Sequence, residues 1–417
     1  MMGKADGIIK IFRYTCVLCV PFIGFMTIVG TGPGTAPDWN CPESIYDGMY
    51  TSIATDDLNG DGVLDIAVIY VIIDNPPPHP SYISVILQDP LKPGSFKSPN
   101  HYAIGNDAWS IAIGDLNDDG LPDLAAANNS SNSISILFQD STVPGKFLAS
   151  TNFPTGIYPL HVAIGDINGD GLGDLLIADK NTSILLQDPS TPGTFLPAIS
   201  LGLISNCVAI GDLNADNLPD IAITEVNYAD IVAVLLQDPI NPGEFLPATY
   251  FDTGPHPSHV SIGYIDGDLL LDFAVANYGS YDGSFNASVS VFLQSPSTPG
   301  NFLPSNKYLT GRGSEEVAIE DLNGDNLADL AVVNSNSQSS DFCDPGIVSV
   351  LLQNPSAAGT FQGPAVYEIF FQPLSIATGD LNGDSLPDIA VADDGANVLF
   401  QNPNSPGNFF APIRVGG

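Results

Sequence analysis

Short apolar stretches rich in Val, Ile and Ala recur along this 417-residue chain, each bounded by Gly, Pro, Asn and Asp. That alternation predicts many brief β-strands separated by tight turns. The stretches follow a fixed order. A first one, such as SIAIG or HVAIG, leads into a polar Asp-rich phrase, and DIAV, DLAA or DLLI follows it. Next comes a stretch of the VSVLLQ kind, and a fourth strand is expected to begin at the Phe of a P-G-x-F turn.

The Asp-rich phrase occurs seven times, starting at Asp57, Asp115, Asp166, Asp212, Tyr264, Asp321 and Asp380, at intervals of 46 to 59 residues. A second phrase follows every copy, as in ISVILQDPLKPGSF and VAVLLQDPINPGEF. Two independent phrases held in step define an internal repeat, and four short strands in a unit of about 50 residues is propeller-blade arithmetic. The expected fold is an all-β, seven-bladed β-propeller of four-stranded antiparallel blades over residues 45–417. The blades fall at approximately 45–105, 106–156, 157–202, 203–255, 256–311, 312–370 and 371–417. Ile or Val stands four residues before each phrase. Three before it stands Ala54, Ala112, Ala163, Ala209, Ser261, Ala318 or Ala377. A small face and a branched face suit an innermost strand, with the branched face packed between blades. Whole blades, not shared strands, are expected to close the ring, and residues 37–47 are available as a clasp.

Positions 1, 3, 5 and 9 of the phrase carry Asp, Asn, Asp and Asp in six copies. Oxygen side chains at alternate positions of a tight loop turn inward together. With a backbone carbonyl at position 7 they supply the oxygens that Ca2+ requires. The candidate ligands of the first loop are Asp57, Asn59, Asp61, the Val63 carbonyl and Asp65. In the second and third they are Asp115, Asn117, Asp119, Leu121 and Asp123, then Asp166, Asn168, Asp170, Leu172 and Asp174. The fourth offers Asp212, Asn214, Asp216, Leu218 and Asp220, and the sixth Asp321, Asn323, Asp325, Leu327 and Asp329. The seventh offers Asp380, Asn382, Asp384, Leu386 and Asp388.

Position 6 holds Gly62, Gly120, Gly171, Asn217, Asn326 or Ser385 and is expected to be left-handed, with Ser385 the poorest fit. The phrase has no soft ligand, which argues against zinc or copper there. Position 12 is Val, Ile or Ala inside a strand, not the Glu of an EF-hand. Turn formation alone accounts for one Asp and one Gly but not for three carboxylates. About six Ca2+ ions are therefore expected. The fifth loop, Tyr264–Asp272, has Tyr264 for the first Asp and Leu269 at the sharp turn, and is expected to hold none.

The D-x-N-x-D-G-x-x-D phrase followed by D-[IL]-A-V resembles the FG-GAP/VCBS repeat, the blade unit of integrin α-subunit propellers. The resemblance covers roughly residues 45–417. It implies a seven-bladed propeller with calcium in the loop between the first two strands of a blade, calcium loops on one face and ligands on the other.

Composition narrows the partners. Asp and Glu total 47 against 10 Lys and Arg, a net charge of −37, which argues against nucleic acid or an anionic membrane surface. An apolar share of 44% argues against a disordered acidic chain. Lys4, Lys10 and Arg13 precede an apolar run from Cys16 to Gly30, the pattern of a signal peptide over 1–30, with 31–44 a linker. Loss of those three basic groups and Asp6 takes the charge from −37 to −39. The alternative is an uncleaved N-terminal anchor. Localisation is expected to be secreted, periplasmic or cell-surface, with no membrane insertion after signal removal and a monomeric propeller. Cys16 and Cys19 leave with the signal, Cys207 reads as a small core residue, and Cys41 and Cys343 have loop-like settings suited to a disulfide.

Ligand binding is expected on the face opposite the Asp loops. Long inserts between second and third strands lie at 74–82, 278–288 and 335–346. The second of these carries Tyr278, Tyr281, Asp282 and Phe285, a candidate exposed loop for stacking on sugars or peptide side chains. His161, His259 and Glu316 share a place five residues before the phrase, where convergence would form a metal or acid/base cluster. Ser or Cys in the other copies favours a polar channel lining. The main expectation is a binding or adhesion module for a glycan or extracellular protein, with structural calcium. The alternatives are a polysaccharide-active lyase or hydrolase, or a structural surface or matrix component.

Overall fold

The computed structural model describes residues 48–73, 77–225, 230–280, 286–335 and 345–416, with the backbone of a short antiparallel pair, Lys10–Phe12 with Gly24–Met26. Apart from that pair, the expected signal, linker and clasp lie outside the described residues, as do Cys41 and Cys343. Seven four-stranded sheets follow one another, each built from consecutive strands paired antiparallel. Among the described residues there is no helix, and so none long and apolar enough to cross a membrane.

In blade one the strands are Gly48–Asp56, Asp65–Ile72, Ser81–Ile86 and Asn100–Ile104. The first strands of the later blades are Ala108–Gly114, His161–Gly165, Ser205–Gly211, Pro257–Gly263, Ser314–Glu320 and Ser375–Gly379. Each touches the first strand of the next blade, and the last touches Gly48–Asp56, so seven strands ring the axis. The Ile53 N–H donates to Ser375 Oγ at 3.1 Å across the closing junction.

The core is divided among the blade junctions. Ile53, Ile66 and Val68 of blade one pack with Ala390, Ala392 and Val398 of blade seven. On the other face Ala54, Ala67 and Ile69 pack with Ile111, Leu124 and Ala126 of blade two. Both faces of the first strand therefore lie between blades, not the branched face alone. The small residue lets neighbouring sheets approach, and the branched one fills the wider gap. Second strands such as Asp123–Asn128 and Asp272–Asn277 are buried along their whole length, because both faces are covered.

The fourth strand does not begin at the P-G-x-F phenylalanine. Phe96, Phe147 and their equivalents each form one isolated bridge, to Gln88, Gln139 and so on, and the strand starts later, at Asn100 or Thr151. In six blades a proline intervenes, as in F-L-P or F-K-S-P. A residue without an N–H cannot continue the ladder.

Leu176 is fully buried between blades three and four, whereas Leu91 is 89% exposed. Leu176→Ala is expected to cost about 2–5 kcal/mol and Leu91→Ala less than about 0.5 kcal/mol, read from urea midpoints.

Candidate metal loops and the axial channel

Each Asp phrase joins the first strand of a blade to the second, and its last residue holds it. The Asp65 carboxylate is buried; Oδ2 accepts the Leu58 N–H at 3.1 Å and Oδ1 the Gln88 N–H at 2.7 Å. Asp123, Asp174, Asp220, Asp272 and Asp388 repeat both bonds. Asp329 accepts the Gln353 N–H at 2.7 Å. The Gln88 amide then donates to Leu64 O at 2.8 Å, and its Oε1 accepts the Gly94 N–H at 3.3 Å. The two repeated phrases are thus one hydrogen-bonded unit.

The same unit locks onto the preceding blade. A Cβ at Gly145, whose φ is +75°, would meet Leu87 Cδ1 at 2.9 Å and Asn59 Cβ at 3.0 Å. Only glycine tolerates both the left-handed backbone and the contact. Gly94 stands the same way against Asn382 of blade seven, at 3.4 Å.

Within the loop, Asp57 Oδ1 accepts the N–H groups of Gly60 at 2.8 Å and Asp61 at 3.1 Å, and Oδ2 accepts that of Gly62 at 2.8 Å. The position-3 amide reaches position 9 or position 5: Asn59 Nδ2 lies 2.8 Å from Asp65, and Asn168 Nδ2 3.0 Å from Asp170. Positions 1, 3, 5 and 9 therefore meet, and every side-chain donor among them is a hard oxygen or can present one. The set fits Ca2+, with Asp, Asn, Asp and Asp as the residues that would hold it.

Position 6 is left-handed in all seven loops, Ser385 and Leu269 included. So is position 4, which sequence reasoning missed. It is Gly in five loops, but Asp118 at φ 60° and Ala215 at φ 61° obscure the rule. The fifth loop shows what the turn itself requires. Tyr264 replaces the first Asp, yet Leu269 takes φ 70° and Asp272 accepts the Ile265 and Gln294 N–H groups at 3.0 and 2.7 Å. The turn forms without a carboxylate at position 1.

Burial pushes the position-9 carboxyls above the usual range, Asp65, Asp329 and Asp388 to about 7 and Asp123, Asp174, Asp220 and Asp272 to about 6. Repulsion from Asp61 and Asp57 adds to the effect at Asp65.

At the other end of the axial strands the structure brings His161, Cys207 and His259 together, their ligand atoms within 4.8 Å of one another. The imidazole centroids are 5.6 Å apart, edge to face, and His259 Nε2 lies 3.4 Å from Glu316 Oε1. Burial lowers His161 to about 4 and raises Glu316 to about 7. The sequence marks Cys207 as a small core residue and also as the Cys at the place of His161 and His259; it is 1% exposed and stands beside both.

The aromatic insert of blade five is not what the sequence predicts at Tyr278. That residue is 5% exposed, its N–H donating to His256 O at 2.9 Å, because the turn out of the second strand tucks it inward. Tyr281, Asp282 and Phe285 lie outside the described residues.

A sequence model of the FG-GAP-like repeat matches residues 57–126, 115–177 and 321–391. The chain thus carries FG-GAP-like repeats within a seven-bladed β-propeller. The phrases at Asp212 and Tyr264 lie outside the matched stretches. No curated protein matches the sequence. Among solved structures, the chain is similar to one in the crystal structure of BBS1N in complex with ARL6DN, soaked with mercury. Identity is 16% and the TM-score 0.53, over 87% of this chain and 95% of that one. At that identity the likeness is one of fold.

Asp272→Asn replaces an acceptor oxygen by an amide facing a backbone N–H. We expect a loss of about 1–3 kcal/mol, equal with and without calcium. Asp61→Ala is expected to change calcium-free stability by less than about 0.5 kcal/mol and to remove one bound ion, counted by calcium titration.

A pH dependence follows as well. A position-9 carboxyl such as Asp65 binds its proton more tightly in the folded state, at about 7, than at the ordinary 3.8. Between those values unfolding releases protons, so in EDTA stability should fall as pH rises through this window. Thermal midpoints across the range check it; a rise in midpoint would contradict it.

Proposed function

We propose that the protein is an exported, calcium-carrying propeller that presents the face opposite its Asp loops to a glycan or extracellular protein. The observation that carries the calcium part is the fifth loop. It makes the same turn without a position-1 Asp, so the position-1 carboxylate of the other six is surplus to the turn and suits a cation. At an extracellular-type affinity of about 10⁻⁴–10⁻³ M, millimolar calcium adds roughly 0.4–1.4 kcal/mol per site, or about 2–8 kcal/mol over six. That is comparable with a domain's whole stability, so the metal's role is structural.

The binding part is supported by where the chain varies. The second strands end and the third begin on the side away from the Asp loops, and by sequence those connections are the ones that vary most in length, at 74–82, 278–288 and 335–346. A rigid ring that varies in length chiefly at one face is a platform for recognition.

The test is an array of glycans and matrix proteins probed with the mature chain in millimolar calcium and in EDTA, with the wells assayed for released sugar. Saturable, calcium-dependent binding without product is the expected result. Released sugar would replace this reading with a polysaccharide-active enzyme.

A further inference from the structure

Seven equivalent residues stand five positions before each Asp phrase, on the first strands of the blades: Ser52, Ser110, His161, Cys207, His259, Glu316 and Ser375. In five blades a β-bulge immediately precedes the residue and re-aims its side chain. At four junctions that side chain accepts a backbone N–H from the next blade. Ser52 takes that of Ile111 at 3.1 Å, Ser110 that of Val162 at 3.2 Å, Glu316 that of Ile376 at 3.3 Å, and Ser375 that of Ile53 at 3.1 Å. The ordinary task of the position is to tie one blade to the next.

His161, Cys207 and His259 depart from it, and they stand on three consecutive blades. We propose that they form a binding site for one zinc-class transition-metal ion, with Glu316 orienting His259 from behind. The donor atoms already lie within 4.8 Å of one another. Zinc–ligand bonds of about 2.0–2.3 Å put neighbouring ligand atoms of a tetrahedral site about 3.3–3.8 Å apart, so side-chain rotation of about 1 Å closes the set. The Nδ1 atoms of both His161 and His259 are buried and have no hydrogen-bond partner, a costly arrangement for a plain channel lining. A metal satisfies such an atom.

The carboxylate that would orient His259 is in place too. His259 Nε2 faces Glu316 Oε1 at 3.4 Å, so an Nε2–H donated to the carboxylate leaves Nδ1 for the ion, the carboxylate–histidine–metal arrangement. The Cys207 thiol would release its proton as the thiolate bonds to the metal. Two nitrogens and a sulfur select a borderline-soft ion and disfavour calcium. Three protein ligands leave the fourth position to water or another small ligand.

The experiment is zinc titration calorimetry on the full chain in excess calcium, which saturates the Asp loops, alongside Co2+ absorption spectroscopy. One zinc per chain and a cysteinate-to-cobalt charge-transfer band are expected. Cys207→Ser should abolish the band and weaken zinc at least tenfold, and Glu316→Gln, which keeps an acceptor for the Ile376 N–H, should weaken zinc about 10–100-fold. Absence of zinc uptake in calcium, or uptake unchanged in Cys207→Ser, overturns the proposal. If the variants fail to fold, the cobalt band of the unsubstituted protein decides alone. The outcome is independent of whether the Asp loops bind calcium.

Discussion

Everything in this ring depends on one buried carboxylate per blade. The position-9 Asp takes an N–H from its own loop with one oxygen and an N–H from the third strand's Gln with the other. It fixes the path of the first turn and the register of the third strand together. That Gln in turn holds the Gly which seats on the preceding blade. A single side chain thereby couples local turn, sheet register and blade–blade contact, which accounts for two phrases, far apart in sequence, repeating in step. The cost is electrostatic. A carboxylate in this place is desolvated and close to two others, and it holds a proton or welcomes a cation to remain. The fifth loop keeps this carboxylate, Asp272, with both its N–H groups, although its first position is Tyr264.

Much of this was legible in the residues because repetition averages out accident. The blade count, the strand order and the left-handed sixth position all come from comparing copies within one chain. Where sequence reasoning failed, something had interrupted the comparison. Asp118 and Ala215 hid the left-handed fourth position, since an L-residue with a Cβ there runs against expectation. Phe96 and its equivalents look like strand openings because they are apolar and follow a turn, but a proline a few residues on decides where pairing resumes. Cys207 is the instructive case. Its neighbours Val208 and Ile210 mark it as core, and burial bears that out; only alignment with His161 and His259 places it in the axial ring. Tyr278 fails for the opposite reason, since an aromatic beside an insert need not share its exposure.

The axial strands separate two chemistries. One end of each runs into an oxygen-lined loop, and the residue five places earlier, roughly 16 Å back along the strand, faces neighbours of a different kind. Where that residue is Ser or Glu it joins blades by accepting an N–H. Where it is His or Cys it contributes nitrogen or sulfur to a shared space. A position whose backbone is fixed by the ring is free to change its side chain, which is how a sevenfold scaffold acquires an asymmetric centre.

The seating of Gly94 against Asn382 has a wider meaning. Gly94 of the first blade seats on Asn382 of the last as Gly145 seats on Asn59, so the ring closes by a contact that its other blades share. A linear stack of repeats that loses a member becomes shorter and keeps one interface per remaining neighbour. A closed circle that loses a member leaves an arc whose two ends no longer meet, each exposing a face built to be covered. Stability here is a property of closure, and the number seven is a geometric condition on the whole molecule, not a count of interchangeable parts.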